Sequence, residues 1–166
     1  MTIKTLGFIG IGNMGSRMVP HIASTGISIH IYDINKDVSS NLARTHNNII
    51  VENDAAAVAK AADAVITMLP AGPDVKECAL GETGLVEGFS KGDILIDMSS
   101  SQPWMTVELA EELASKGIDM IDSPVSGGAQ GAENGTLTFD DWRKKRFSGK
   151  VSTSIRANGI PHFSYW

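Results

Sequence analysis

The residues most able to do chemistry form a glycine-rich motif near the start of the chain, Gly10-Ile11-Gly12-Asn13-Met14-Gly15. The motif follows an apolar run at residues 6–9 and opens a segment of helical pattern, as a dinucleotide-binding loop requires. Gly10 allows a tight turn, Gly12 lets the main chain approach a diphosphate, and Gly15 lets the helix pack close to the strand. The helix N-terminus adds unpaired N–H groups and a partial positive charge. We therefore predict that residues 10–15 bind a dinucleotide; the alternative is a purely structural turn.

Asp33 lies eighteen positions after Gly15, at the end of the second predicted strand. A carboxylate there can accept hydrogen bonds from the ribose hydroxyls of the adenosine half and would repel a 2′-phosphate. It therefore favours NAD over NADP, although Lys36 is close enough in sequence to reach a phosphate. The alternative is that Asp33 only caps the turn that follows it.

These residues must be positioned by the elements around them, and between residues 3 and 122 short apolar runs alternate with stretches of helical character. The pattern predicts strands at 3–9, 27–32, 49–51, 64–69, 93–97 and 119–122, and helices at 12–25, 37–45, 55–62, 74–80 and 102–116. Such alternation is typical of parallel strands joined by right-handed crossovers, and the nearly continuous apolar runs suit a sheet buried on both faces. We predict an α/β fold: a doubly wound, mostly parallel Rossmann-type sheet in a single domain at residues 1–138.

Three groups of residues follow the fourth, fifth and sixth predicted strands: Met68-Leu69-Pro70, Ser100 and Ser126-Gly127-Gly128. Open α/β sheets bind ligands at the carboxyl ends of their strands. The two glycines expose N–H groups that can wrap an anion, and the neighbouring serine adds a hydroxyl donor. The alternatives are a strand end stopped by proline, a serine loop that caps the next helix, and a glycine-rich connection.

Three signatures make the chain resemble the β-hydroxyacid dehydrogenases, a family that includes 3-hydroxyisobutyrate dehydrogenase, tartronate semialdehyde reductase and 6-phosphogluconate dehydrogenase. They are GFIGIGNMG at residues 7–15, MLP at 68–70, and DSPVSGGAQGA at 122–132 with GTLT at 135–138 after it. The resemblance covers residues 3–138. It implies an NAD(P)-dependent oxidoreductase that interconverts a small β-hydroxyacid and its semialdehyde or keto form, and Asp33 makes NAD the favoured cofactor over NADP.

The resemblance also implies roles for individual residues. Met68, Leu69 and Pro70 line the cofactor, and Ser100 lies near the nicotinamide, where relatives often carry threonine. Asp74 falls where relatives often contact the cofactor through asparagine. The segment Ser126-Gly127-Gly128 holds the substrate carboxylate.

The family's proton-transferring residue is a lysine in a GxxGxxxKxxxN motif that begins a second, helical domain, and this motif does not occur in the chain. We therefore assign no catalytic residue and expect the chain to be truncated and nearly inactive by itself. The helical domain also supplies the family's dimer contact. The alternative function is a non-catalytic dinucleotide-binding module that acts as a sensor or partner subunit.

Residues 139–166 have six Lys and Arg against two Asp, whereas residues 1–138 have eight Lys and Arg against seventeen Asp and Glu. The family continues after GTLT with a strand and a Gly-Gly turn, and one codon choice for 139–166 gives that pattern when read one base later. We therefore hypothesise that this tail is a poorly ordered frameshift product. The alternative is a genuine basic tail that contacts an acidic partner.

Composition excludes several functional classes. The chain has 166 residues and a net charge of −5, which argues against a nucleic-acid-binding surface over the whole chain. No apolar run approaches the ~20 residues of a membrane span, and no signal segment precedes the first strand. The single cysteine, Cys78, excludes a disulfide framework and a cysteine-based zinc site. We expect a cytoplasmic protein with a small-molecule substrate, no metal, no nucleic acid and no membrane.

Overall fold

A computed structural model describes residues 3–139, 151–155 and 161–165. Its main sheet has six strands: β1 Thr5–Ile9, β2 Ser28–Tyr32, β3 Ile49–Val51, β4 Ala64–Thr67, β5 Ile94–Asp97 and β6 Asp119–Asp122. Adjacent strands pair in parallel and lie in the order β3-β2-β1-β4-β5-β6. The predicted doubly wound, Rossmann-type sheet is therefore confirmed, and its strand order reverses between β1 and β4.

The helices of the described part are α1 Gly15–Ala23, α2 Lys36–Ala43, α3 Ala55–Ala61, α4 Gly72–Leu80, α5 Leu85–Gly88, α6 Pro103–Ser115 and α7 Gly128–Asn134. Short polar side chains begin two of them. Asp54 Oδ1 accepts the N–H of Ala57 at 2.8 Å before α3, and Asn35 accepts the N–H of Asp37 at 3.2 Å before α2. These bonds satisfy N–H groups that a helix start leaves unpaired.

The sheet is buried on both faces, as its apolar runs predict. Because alternate residues of a strand point to opposite faces, Phe8 packs in one core cluster with side chains of α1, and Ile9 packs in the other with side chains of α3. In β5, Ile94 and Ile96 belong to the first cluster and Leu95 to the second. Each such side chain stabilises the fold by about 1.5–3 kcal/mol when fully buried. This burial holds the strand ends, and therefore the loops that leave them, in fixed relative positions.

The boundaries differ from the sequence prediction mainly where the chain leaves the sheet. The first helix begins at Gly15 rather than at residue 12, because residues 10–14 form a turn in which Gly10 has a φ of 96°. The fourth strand ends at Thr67, two residues before its predicted end. The sequence did not predict the short helix α5. It also did not predict α7, whose glycines at 128 and 131 lower its helical propensity.

A short antiparallel pair flanks α7. It is formed by β7 Val125–Ser126 and β8 Thr138–Phe139. Beyond residue 139 the structure describes two more strands, β9 Val151–Ile155 and β10 Pro161–Tyr165, which pair with each other in antiparallel orientation. Residues 1–2, 140–150, 156–160 and 166 lie outside the described residues. The division at residue 138, the frameshift origin of the tail and its poor order therefore stay predictions.

Within the described ranges, no helix has the length and apolar character that crossing a bilayer requires.

Candidate functional site

A cleft of about 660 Å³ lies at the carboxyl ends of the strands, beside the reversal of strand order between β1 and β4. Open α/β sheets bind their ligands at this position. Nine residues that the sequence singled out line it: Gly10, Gly12, Asn13, Met14, Asp33, Met68, Leu69, Pro70 and Asp74. Other lining residues were not singled out, among them Tyr32, Ile34, Glu77, Cys78 and Thr83. The loops after β1, β2 and β4 and the helix α4 therefore converge on one cavity.

The glycine-rich loop packs tightly at two of its three motif glycines. Gly10 has a positive φ, and a Cβ there would collide with the carbonyl oxygen of Met68. A Cβ on Gly15 would collide with the carbonyl oxygen of Gly10. The loop therefore lies directly against the end of β4, in agreement with the predicted tight turn and close packing of the helix.

Gly12 has the opposite surroundings. It is exposed, and no protein atom lies within 4 Å of the position that a Cβ would take. The helix α1 begins three residues later, and no side chain caps its start. The positive end of its dipole and its first N–H groups are therefore free of a capping side chain beside an open space. Room is therefore left at Gly12 for a ligand group to approach the main chain.

Asp33 connects the loop to the end of β2. Its Oδ2 accepts the main-chain N–H of Ile11 at 2.7 Å, and its Oδ1 accepts that of Asn35 at 2.7 Å. The side chain of Ile11 is fully buried, so Ile11 gives its amide to Asp33 and does not line the cleft. A carboxylate has about four acceptor sites, so Asp33 keeps acceptor capacity for ribose hydroxyls. The cap of the following turn and the ribose contact are therefore compatible roles.

Leu69 lines the cleft directly after β4, and its N–H donates to Oγ of Ser99 at 2.9 Å. Ser99 and Asp97, which ends β5, are both fully buried. Burial raises the pKa of the Asp97 carboxyl, while hydrogen bonds from Ser99, Thr67 and Ser101 act in the opposite direction. Sequence reasoning did not single out Asp97 or Ser99. The available signal was their spacing, because residues two apart at the end of a buried strand share one side.

The ionisable side chains of the cleft are mostly acidic. Burial, with a smaller contribution from the charge of Asp97, raises the pKa of the Cys78 thiol to about 12. The thiol is therefore protonated at neutral pH and is a poor nucleophile. Carboxylates line the cleft at Asp33, Asp74, Glu77 and Glu82, and no Lys, Arg or His of residues 3–139 does so. The cleft offers main-chain donors and carboxylate acceptors.

Four predicted site residues, Ser100, Ser126, Gly127 and Gly128, are exposed and lie outside the lining of this cleft. Gly127 and Gly128 have φ values of 129° and 60°, which favour glycine, directly before and at the start of α7. The nicotinamide role of Ser100 and the substrate role of segment 126–128 stay predictions.

The helix α7 packs on α1, the helix into which the glycine-rich loop leads. Arg17 Nε lies 3.0 Å from the Glu133 carboxylate, and His21 Nε2 lies 2.9 Å from the Glu133 carbonyl oxygen. The guanidinium of Arg17 also donates to the carbonyl oxygen of Asn13 and to Oδ1 of Asn13. The last turn of α7, the helix that begins at Gly128, is therefore held against the helix into which the glycine-rich loop leads.

A protein-family model described as the NAD binding domain of 6-phosphogluconate dehydrogenase matches residues 5–140. Among curated proteins, a probable mitochondrial 3-hydroxyisobutyrate dehydrogenase of Dictyostelium discoideum is 40% identical over 136 residues, which cover 82% of this chain and 42% of that protein. The mitochondrial 3-hydroxyisobutyrate dehydrogenase of Mus musculus is 39% identical over 140 residues, which cover 84% of this chain and 41% of that protein.

Among solved structures, the 3-hydroxyisobutyrate dehydrogenase of Mycobacterium tuberculosis with L-serine matches with a TM-score of 0.76 and 30% identity. The match covers 83% of this chain and 46% of that one. The chain therefore spans less than half the length of these relatives. The region matched by the family model contains the whole cleft.

Proposed function

Because the chain belongs to the family described as the NAD binding domain of 6-phosphogluconate dehydrogenase, we propose that it carries the nucleotide site of an oxidoreductase for small β-hydroxyacids. NAD is the cofactor of this family's domain. The proposed reaction interconverts the hydroxyacid and its semialdehyde or keto form. The observation that carries the proposal is the open space at Gly12, beside the uncapped start of α1 and at the reversal of strand order.

Three parts of the chain would hold NAD. Main-chain N–H groups around Gly12 would bind the diphosphate, Asp33 would accept hydrogen bonds from the adenosine ribose, and the segment Met68-Leu69-Pro70 would form one wall. Asp74, exposed in the first turn of α4, would contact the cofactor from the side of that helix. When bound, NAD supplies a nicotinamide ring that accepts or gives a hydride. The loops after β4 and β5 would fix the position of that ring.

A preference for NAD over NADP is supported by the charge at Asp33. Both of its oxygens accept main-chain N–H groups, which hold the carboxylate in one orientation for the proposed ribose contact. Lys36 is the nearest cation in sequence, but it is exposed at the start of α2 next to Asp37. The local charge is therefore not positive, and a 2′-phosphate would gain little there.

Segment 126–128 is proposed to bind the substrate carboxylate. Two consecutive glycines with positive φ present their N–H groups at the surface, and Ser126 adds an exposed hydroxyl. The related structure from Mycobacterium tuberculosis was solved with L-serine. L-serine has both a carboxylate and a β-hydroxyl, which are the two groups of a β-hydroxyacid.

The chain by itself is proposed to turn over little substrate. Proton transfer to or from the substrate oxygen needs a donor or acceptor within hydrogen-bond reach. None of the described lysines lines the cleft, and its thiol is held protonated. The same observation supports the second candidate function, a dinucleotide-binding module without chemistry.

Calorimetric titration of the purified chain with NAD and with NADP tests the nucleotide site. We expect saturable heat with NAD and weaker binding of NADP. Heat with neither nucleotide would overturn the proposal, and equal affinities would overturn the preference.

A dehydrogenase assay with 3-hydroxyisobutyrate and with L-serine tests the reaction. We expect little turnover from the chain alone, and ordinary enzymatic rates would show that the chain itself contains a proton-transferring group. The non-catalytic module would be favoured if the chain binds NAD but no β-hydroxyacid is turned over, even when extract of the cells that make the protein is added to supply a partner.

A further inference from the structure

The carboxyl of Asp97 is the most deeply buried ionisable group near the cleft, with a relative exposure of 0%. Three groups donate hydrogen bonds to it at measured distances. The Thr67 hydroxyl and the Ser99 N–H donate to Oδ1 at 3.0 Å each, and the Ser101 hydroxyl donates to Oδ2 at 3.1 Å. Thr67 ends β4, whereas Ser99 and Ser101 belong to the loop after β5. One carboxyl therefore joins the exits of two adjacent strands.

Ser99 extends this network to the wall of the cleft. Its main-chain N–H donates to Oδ1 of Asp97 at 3.0 Å, and its hydroxyl oxygen accepts the main-chain N–H of Leu69 at 2.9 Å. The chain of contacts runs without a gap from a buried carboxyl to a residue that lines the nucleotide cleft.

The position is unfavourable for a charged group on its own. Burial raises the pKa of the Asp97 carboxyl, so the ionised form is less stable there than in water. The thiol of Cys78 feels the charge of Asp97, and it is held neutral by its own burial. A side chain that only filled this space would be more stable if it were apolar. Asp97 differs from an apolar residue at this position because it accepts hydrogen bonds from Thr67, Ser99 and Ser101.

We propose that Asp97 is a positioning residue for the nucleotide site: through Ser99 it fixes the main chain of Leu69, and through Ser101 it fixes the turn that carries Ser100. The wall of the cleft at Leu69 is thereby set before a ligand enters. The part of the inference that concerns affinity rests on the proposed function. The part that concerns the position of Leu69 does not.

The test uses Asp97→Asn and Ser99→Ala, singly and together, in the full chain. Ser39→Ala is the matched control, because Ser39 is equally buried and its Oγ has no hydrogen-bond partner in the described structure. Two quantities are measured well below the unfolding temperature: the hydrogen-exchange rate of the Leu69 amide without ligand, and the affinity for NAD by calorimetry.

We expect each single variant to speed exchange at Leu69 and to weaken NAD binding by about five- to tenfold, the size of one lost hydrogen bond. Since both residues act through the same contact, the double variant should be no worse than the weaker-binding single variant. Ser39→Ala should change neither quantity, even if it shifts the melting temperature.

Additive losses in the double variant, or an unchanged Leu69 amide in Ser99→Ala, would overturn the positioning role. If Asp97→Asn does not fold, Thr67→Val takes its place, because it removes one donor from Asp97 and leaves Ser99 intact. Failure of the wild-type chain to bind NAD would contradict the proposed function alone, and the exchange rate of Leu69 would still decide the role of Asp97.

Discussion

The glycine-rich loop and segment 126–128 are both predicted to bind anions, yet the fold holds them in different ways. The loop is fixed from inside: Gly10 lies against the carbonyl of Met68, and the amide of Ile11 is bonded to Asp33. Segment 126–128 is exposed. It is held by the β7–β8 pair, two residues on each side, by the buried side chains of Ala132 and Leu137, and by surface contacts between α1 and α7.

This difference follows from the position of each region relative to the sheet. The loop leaves the central strand β1, whose neighbours on both sides are buried strands. Segment 126–128 follows β6, the edge strand, so fewer buried contacts are available to it. We infer that the nucleotide half of the site is built in advance, whereas the conformation of segment 126–128 depends on fewer buried contacts. The two regions should therefore respond unequally to comparable substitutions.

The largest difference is expected between Gly10→Ala and Gly128→Ala. Both glycines have positive φ, but a Cβ at Gly10 would meet the Met68 carbonyl, whereas one at Gly128 would meet nothing within 4 Å. Gly10→Ala should lower the free energy of unfolding by about 3 kcal/mol or more. Gly128→Ala should lower it by only about 1–2 kcal/mol, the strain of the left-handed backbone. Urea unfolding of both variants measures this, and equal losses would break the comparison.

Gly12→Ala should separate binding from stability. Because no atom lies near the added methyl group, the free energy of unfolding should change by less than about 0.5 kcal/mol. The methyl group would occupy the space of the diphosphate, so NAD affinity should fall by about tenfold or more. Calorimetry measures the affinity, and Ser40→Ala on the exposed side of α2 is the control. Unchanged NAD affinity in Gly12→Ala would place the diphosphate elsewhere.

Asp33→Asn should have a smaller effect, because the amide keeps one acceptor oxygen. Loss of the charge weakens the bonds from Ile11 and to the ribose, and hydrogen bonds to charged groups contribute about 1.5–3 kcal/mol. NAD affinity should therefore fall. NADP affinity should fall less, so the ratio of NAD affinity to NADP affinity should decrease. Asp54→Asn, which changes a helix cap on α3, is the matched control. A ratio that stays constant would show that Asp33 only holds the loop.

The sequence alone predicts the main sheet and the key residues of the glycine-rich loop. The alternation of apolar runs predicts all six strands of the main sheet, because parallel strands buried on both faces leave a strong signal. The positions of Gly10, Gly12 and Asp33 are predicted by the spacing of the motif alone, since these roles depend on main-chain geometry near one turn.

The remaining features depend on contacts between distant residues. Asp97 and Leu69 are joined only because β4 and β5 are neighbours in the sheet, and no local pattern contains that information. The helix α7 is also invisible to propensity, because its glycines disfavour a helix and its stability comes from packing on α1. The sequence therefore predicts residues whose roles depend on the main chain near one turn. It does not predict residues or helices that are stabilised by tertiary contacts.

The free energy of unfolding should depend on pH through Asp97, the buried carboxyl beside the nucleotide cleft. The pKa of Asp97 is raised by burial, so folding favours its protonated form. The stability from this group is fully present below the ordinary pKa of an aspartate and is lost as pH rises through the raised value in the folded state. Asp97→Asn should remove this loss. The unfolding free energy of the variant minus that of the wild type should therefore become more positive as pH rises towards neutral. Urea unfolding across that window measures it, and a constant difference would contradict the raised pKa.

The smallest effect is expected from the surface contact between Glu133 of α7 and Arg17 of α1. In Glu133→Gln the ion pair with Arg17 loses its charge, but both side chains are substantially exposed, at 35% and 62%. Exposed pairs contribute about 0.2–1 kcal/mol and are screened by salt, so the variant should lose little stability, and less at high ionic strength. Glu108→Gln, which breaks the exposed pair of Lys76 and Glu108 between α4 and α6, is the matched control.

Hydrogen exchange should separate these two variants, although their stabilities are similar. Only Glu133→Gln should speed exchange of the amides of α7, because α7 buries only Gly131 and Ala132, whereas α4 and α6 are held by larger buried side chains such as Val75, Leu109 and Leu113. Unchanged exchange in α7 would mean that β7 and β8 alone hold segment 126–128. A loss of several kcal/mol would mean that this segment is as firmly built as the glycine-rich loop. Either result would contradict the contrast between the glycine-rich loop and segment 126–128, because the lower stability of this segment is inferred from the exposure of its contacts.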